Sequence, residues 1–269
     1  MSSPCSAAST AAPVETRTHR TVLADTADAT CTLSTAAENT LENLEVCTVL
    51  LTLATRLFHA PATAEDLAFF RQVDLDDPED IACADPALRE GLTQMKAFAE
   101  SNEDTEALRR HASDDFNKMF VGPGHKPCPP WSSVYMDGKS LVNGPTAQRV
   151  KATFRAHGFA APVGNHEPWD HIAYELQYIV DLQKRALCLV QEGALEDASS
   201  SLTDAADFIQ EYIQPWIGSF FNDIKESARV DFYRGLADTT RAVLALNFRT
   251  IKQTLSELQE GGLCTYAAN

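Results

Sequence analysis

Thirteen residues near the middle of the chain, Val121–Ser133, read V-G-P-G-H-K-P-C-P-P-W-S-S and hold four prolines and two glycines. Each proline fixes φ and removes an amide donor, so the segment excludes helix and strand alike. What lies before it and after it must fold as separate runs joined by an ordered loop. Both sides carry the period of helices. Thr35 and Glu38 have the spacing of a capping box. Leu41, Leu44, Leu51 and Phe58, with Val46 and Leu50 beside them, then make a broad apolar face as far as Ala60, where Pro61 ends it. The run Val46–Leu53 also fits a buried strand, but its length in context and the flanking Ala, Glu and Leu favour helix.

Short helices are expected at 64–72, 86–100 and 103–120. Beyond the Pro-rich segment, Gly144-Pro145 opens a helix to about His157, with Gly158 as its stop. Pro168 is read as the first residue of the next, which carries Trp169, Ile172, Leu176, Ile179, Leu187 and Val190 at three-to-four-residue steps. A helix over 195–213 follows, Pro215 forces a kink or restart, and a last helix runs from about Arg229 to Leu258. No strand pair and no repeat is evident. The expected fold is all-α: a compact helical bundle of about nine to eleven helices, in two halves joined by the Pro/Gly-rich ordered loop. Its divisions are a flexible tail over 1–33, an N-terminal half over 34–120, the hinge loop over 121–143 and a C-terminal half over 144–269.

Charge narrows the partners. Of 269 residues, 22 are Lys or Arg and 38 Asp or Glu, a net charge of −16. Nucleic acid and anionic membrane surfaces both need cations the chain does not offer in excess, so a basic partner is what the charge permits. Residues 61–120 hold 15 acidic and 6 basic side chains, a net −9, which by itself reads as solvated helix surface. The seven cysteines are scattered, with no C-x₂-C cluster, as suits a reducing cytosol. No segment reaches the roughly 18 apolar residues of a membrane span, and none makes a secretory leader. The expected location is cytoplasmic.

Two segments carry possible chemistry. His166-Glu167 and His171 resemble a zinc-binding H-E-x-x-H helix, but the histidines stand five apart, which turns them about 140° from each other on a helix. No metal, cofactor or catalytic residue is therefore assigned. Asp170 is expected in the first turn of the helix begun by Pro168, where free amides favour a carboxylate. His171 and Glu175 lie at i and i+4 with Tyr178 continuing the stripe, so the three are expected to touch along one half-buried flank. The structural reading of this cluster is a capping Asp and a histidine satisfied by a helical neighbour. The functional one is a small acidic site suited to Arg or Lys on a peptide. Likewise the Pro-rich segment, with Trp131 and Tyr135, is either a rigid connection or a preorganised groove wall.

The two segments together resemble the TorD/DmsD family of redox-enzyme maturation chaperones. The likeness rests on Phe120-Val121-Gly122-Pro123-Gly124, Pro129-Pro130-Trp131-Ser132-Ser133-Val134-Tyr135, Glu167-Pro168-Trp169-Asp170-His171 with Glu175-Leu176, and Pro215-Trp216 followed by Asp231-Phe232-Tyr233 and Leu236-Ala237. It covers roughly residues 40–255. It implies an all-helical cytoplasmic chaperone, not an enzyme, that binds the twin-arginine signal peptide of a molybdopterin-dependent oxidoreductase, contacts the body of that protein, and assists cofactor insertion before export. Carried over by position, the signal-binding surface is Phe120, Gly122, Pro123, Pro130, Trp131, Ser133, Tyr135, Asp170, His171 and Glu175. On this reading Asp170 and Glu175 pair with arginine while Trp131, Tyr135 and Phe120 cover the apolar stretch. A monomer is expected, although a Pro-rich hinge makes domain swapping conceivable. Contact with the molybdenum cofactor or a guanine nucleotide stays open, as does the client's identity. The alternative from another class is a small helical hydrolase using His171 with Asp170 or Glu175 as acid–base pair, and a third reading is a scaffold whose acidic face docks a basic subunit.

Overall fold

Prolines and glycines set the helix ends. The computed structural model describes residues 21–22, 31–32, 35–76, 85–101, 104–122, 126–138, 142–160, 167–259 and 265–266. The helices are α1 (Thr35–His59), α2 (Ala64–Gln72), α3 (Pro86–Ala99), α4 (Thr105–Phe116), α5 (Ser132–Met136), α6 (Pro145–Ala156), α7 (Ile172–Gln191), α8 (Leu195–Phe208), α9 (Gln214–Ser227) and α10 (Asp231–Gln259). Thr63 closes a capping box with Asp66 at the start of α2, and the Asp85 and Asp104 side chains cap α3 and α4. Pro86 and Pro145 stand at the openings of α3 and α6, where a missing amide costs nothing. Gly158 ends the turn after α6 with φ +72°, a left-handed conformation that favours glycine.

Two π-helical turns, Asn117–Val121 after α4 and Ile209–Ile213 after α8, were not expected from the sequence. The second leads directly into Pro215 near the start of α9. A proline cannot join the regular i→i−4 ladder, and the widened turn admits it without breaking the rod. Three two-residue strands, β1 (Thr21–Val22), β2 (Cys31–Thr32) and β3 (Thr265–Tyr266), pair antiparallel in that order. The sequence reading found no strand pair because two residues are too few to show alternation. The fold class is all-α. The tail expected over 1–33 lies outside the described residues apart from β1 and β2.

One main core runs through the bundle, with a small second cluster at Leu41, Val190 and Ala198. α10 packs on α1 and α3, and α7 lies against α1 and α8. Phe58 of α1, Phe120 of the first π turn and Phe220 of α9 meet at ring-centroid distances of 5.6 to 6.2 Å, and Phe116 and Tyr233 extend the cluster. Each fully buried ring contributes about 1.5–3 kcal/mol. Helices α3 and α10 meet at a glycine seam. A Cβ placed on Gly91 of α3 would lie 2.9 Å from the Gly235 carbonyl oxygen, and one on Gly235 of α10 would lie 2.6 Å from that of Gly91. The two backbones therefore touch.

Candidate functional site

The Pro-rich segment is strapped to the start of α7 by its own backbone. Trp131 and His171 form an isolated antiparallel bridge. The Ser132 amide donates to the Asp170 carbonyl at 3.0 Å, and the Ile172 amide donates to the Pro130 carbonyl at 2.9 Å. The expectation that this segment excludes helix fails at its ends, where Val121 closes the first π turn and Ser132 and Ser133 open a short helix, while Trp131 takes the one isolated bridge. Ser132 then begins the five-residue α5. Helix α7 starts at Ile172, not at Pro168: its N-cap is His171, whose Nδ1 accepts the Ala173 amide at 3.1 Å. Asp170 accordingly lies before the helix and not in its first turn. The competing structure is a turn over Pro168–His171, closed by the His171 amide on the Pro168 carbonyl at 3.2 Å, followed by the bridge that holds His171 extended.

Beneath the strap lies a buried polar cluster. The Asp170 Oδ2 accepts the Ser133 amide at 2.7 Å, and Glu175 Oε1 accepts the Ser132 hydroxyl at 2.9 Å. Asp170 and Glu175 have no exposed surface. The half-burial expected from the helical wheel is corrected here, because α5 covers the flank that the wheel left at the edge. Asp170 Oδ1, Glu175 Oε2, the Ser133 hydroxyl and the Trp216 indole N–H complete the cluster, with the Ser133 side chain favouring the charged form of Asp170 and the Trp216 side chain that of Glu175. Burial raises the Asp170 carboxyl, against the lowering effect of Ser133. Burial also raises Glu175 well above the ordinary carboxylate range, with the Asp170 carboxylate adding to it. Both effects favour the neutral form of Glu175, and a neutral acid beside Asp170 avoids two adjacent buried charges.

The remaining site residues fall into two groups. His171 is buried, and desolvation, with His59 next in effect, depresses it to about 3, so the ring is neutral. It meets His59 at 6.3 Å, Tyr174 at 5.4 Å and Trp131 at 6.5 Å. It hydrogen-bonds neither Asp170 nor Glu175, so the acid–base pair of the hydrolase reading is not formed. The Trp131 indole N–H donates to Glu167 Oε2 at 3.1 Å, and Glu167 is exposed. The Tyr135 hydroxyl donates to Asp223 Oδ2 at 2.8 Å and its ring lies on Trp216.

Phe120 stands apart in the aromatic core, sharing only Phe220 with Tyr135. Gly122 closes the first π turn through its amide to the Asn117 carbonyl at 2.6 Å. Pro123 and His166 lie outside the described residues. Tyr178 turns away from Glu175 to pair with His157. Sequence reasoning missed Ser132, Glu167, Trp216 and Lys126, whose ammonium lies 5.3 Å from the Trp131 ring centroid, as parts of this site. Three of them lie inside the motifs that carried the resemblance, and that was the only signal available.

A strap, a buried carboxyl pair and an aromatic wall made from the segments 120–135 and 167–175 can be compared with known proteins. The family model described as nitrate reductase delta subunit matches residues 81–222, more than half of the chain and both segments that build this site. The chain belongs to that family. Relatives of this nitrate reductase delta subunit family member include a chaperone protein TorD of Vibrio vulnificus strain YJ016, 25% identical over 177 residues, covering 66% of this chain and 81% of the relative. A probable Tat proofreading chaperone DmsD of Haemophilus influenzae is 25% identical over 130 residues, 48% of this chain and 57% of the relative. A TorD of Vibrio cholerae serotype O1, strain ATCC 39315, is 32% identical over 106 residues, 39% of this chain and 46% of the relative. The resemblance to the TorD/DmsD chaperones is thereby shown. Among the described residues of this family member, no helix is long and apolar enough to cross a membrane, and no group of three His, Cys, Asp or Glu is placed to hold a metal ion.

Proposed function

We propose that the protein is a cytoplasmic chaperone, without catalysis of its own, that binds the twin-arginine signal peptide of a molybdopterin-dependent oxidoreductase and assists cofactor insertion before export. The observation that carries this reading is the Pro-rich strap bridged to the start of α7, which sets the largely covered Trp131 ring beside the exposed Glu167 carboxylate. A rigid wall of prolines and flat rings loses little entropy when a peptide docks. A carboxylate beside an indole suits a guanidinium, which pairs with one and stacks on the other. The relatives named as TorD and DmsD chaperones add to the reading.

The roles within the expected site shift accordingly. Asp170 and Glu175 act from underneath, holding Ser132 and Ser133 so that Trp131 keeps its place. Tyr135, tied to Asp223, fixes the far end of α5. Val121, 54% exposed at the entry to the strap, adds apolar surface for the middle of a signal peptide.

The test is calorimetric titration of the full chain with a twin-arginine signal peptide and with the same peptide carrying two lysines. The expected result is binding of the arginine form that weakens with salt, with Trp131→Ala and with Glu167→Gln, and much weaker binding of the lysine form. No heat of binding with twin-arginine peptides from molybdoenzymes of the host would overturn the reading.

A further inference from the structure

The ring of Trp131 already holds a cation. The Lys126 ammonium lies 5.3 Å from the ring centroid, carried by the same Pro-rich segment five residues earlier. Around that contact the indole is fixed on its other sides. Its N–H is committed to Glu167 Oε2, its edge meets His171 at 6.5 Å, and the backbone of Trp131 is bridged to His171. The tryptophan is only 9% exposed. Its ring is therefore a fixed platform, and the half-buried Lys126 is the piece that can leave without breaking a backbone hydrogen bond.

Tryptophan is the best of the aromatic faces for a cation. A planar, weakly hydrated guanidinium also stacks on it more favourably than a compact, strongly hydrated ammonium does. Resting on the function proposed above, we infer that Lys126 is an internal occupant of the Trp131 face, and that one guanidinium of the bound twin-arginine segment displaces it. The exchange makes the site selective. A lysine entering from a ligand replaces a lysine already present and gains almost nothing, whereas an arginine gains the difference between the two cations. Lys126 thus acts as a built-in reference against which ligands are measured.

The experiment titrates the full chain with a twin-arginine peptide and its twin-lysine counterpart at one ionic strength, for wild type, Lys126→Met and Lys126→Arg. Methionine keeps the apolar stem and removes the charge. The expected result is binding tightened about 2- to 5-fold in K126M, the equivalent of one exposed cation–ring contact, with a larger gain for the lysine peptide so that selectivity narrows. In K126R the resident guanidinium is the stronger competitor, so binding weakens below wild type. Plain charge repulsion between Lys126 and a basic ligand predicts the K126M gain but no change in K126R, and that pattern would overturn the inference. In a Trp131→Leu background that retains its thermal transition, K126M should lose its effect. If the wild type binds the arginine peptide and the Lys126 variants match it, the inference fails while the proposed function stands. If the wild type binds neither peptide, the proposed function itself fails.

Discussion

The Ser132 hydroxyl donates to the Glu175 carboxyl at 2.9 Å across 43 residues of sequence, and the carboxyl it reaches has no exposed surface. This contact ties the Pro-rich strap to α7 and makes the strap's position dependent on a buried acid. Its protonation leaves a measurable trace.

Glu175 is raised well above 4.5, and Asp170 is raised above 3.8. The folded chain therefore keeps protons that the unfolded chain has released, and stability falls as pH rises from about 4.5 through the folded-state value. Glu175→Gln keeps an acceptor for Ser132 and has no proton to lose. Urea denaturation at a series of pH values should show wild type losing ground to E175Q by about 1.4 kcal/mol per pH unit within that window. Parallel curves would refute the assignment.

His171 acts with the opposite sign. Its folded value of about 3 lies below its ordinary 6.5, so the stability of the neutral ring is complete above 6.5 and is lost as pH falls toward 3. Asparagine accepts an N-cap bond equally well and does not titrate. His171→Asn should therefore flatten the acid limb of the stability curve by about 1.4 kcal/mol per pH unit. Between 4.5 and 6.5 the histidine and Glu175 partly cancel in wild type, so only the two variants reveal the slopes.

The glycine seam makes an unusual helix prediction. Alanine is the better helix former by about 0.8–1.0 kcal/mol, yet Gly91→Ala would place a Cβ 2.6 Å from the Thr239 amide nitrogen and 2.9 Å from the Gly235 oxygen. These are backbone atoms that move only with α10. A net loss of about 1–3 kcal/mol is expected by denaturant titration. Gly218→Ala on α9, with nothing within 4 Å of the new methyl, should instead be neutral or stabilising.

A polar chain crosses the core from Thr48 on α1 through Gln183 on α7 to Asn247 on α10. Asn247→Leu alone strands the buried Gln183 amide and should cost about 1–3 kcal/mol. Adding Gln183→Met removes the stranded group and should recover most of that loss. A double-mutant cycle in urea reads the coupling, and simple additivity would count against the chain.

Much of the fold was legible because its punctuation is local. Pro86, Pro145 and Gly158 bound helices in the sequence and in the structure alike, since a missing amide or a left-handed φ acts within one turn. Pro168 misled for the complementary reason. Its local preference for a first helical position lost to the Trp131–His171 bridge, whose other half lies some forty residues upstream. Depth was likewise illegible. A helical wheel placed Glu175 beside the apolar face, but only the packing of α5 decides that nothing of it reaches water. Tyr178 shares Glu175's stripe and still turns to His157, because the neighbours on each side of a helix belong to different elements. The π turns are invisible to any 3.6-residue pattern, as they are departures from it.

The contact between Gly91 and Gly235 has a consequence in time. Ala99 ends α3 and Asp231 begins α10, a separation of 231 − 99 = 132 residues. At about 5–20 residues per second a ribosome takes roughly 7–26 s to cross that interval. Throughout it, the face of α3 around Gly91 waits for the helix that covers it. The bundle therefore closes late, by its longest described helix.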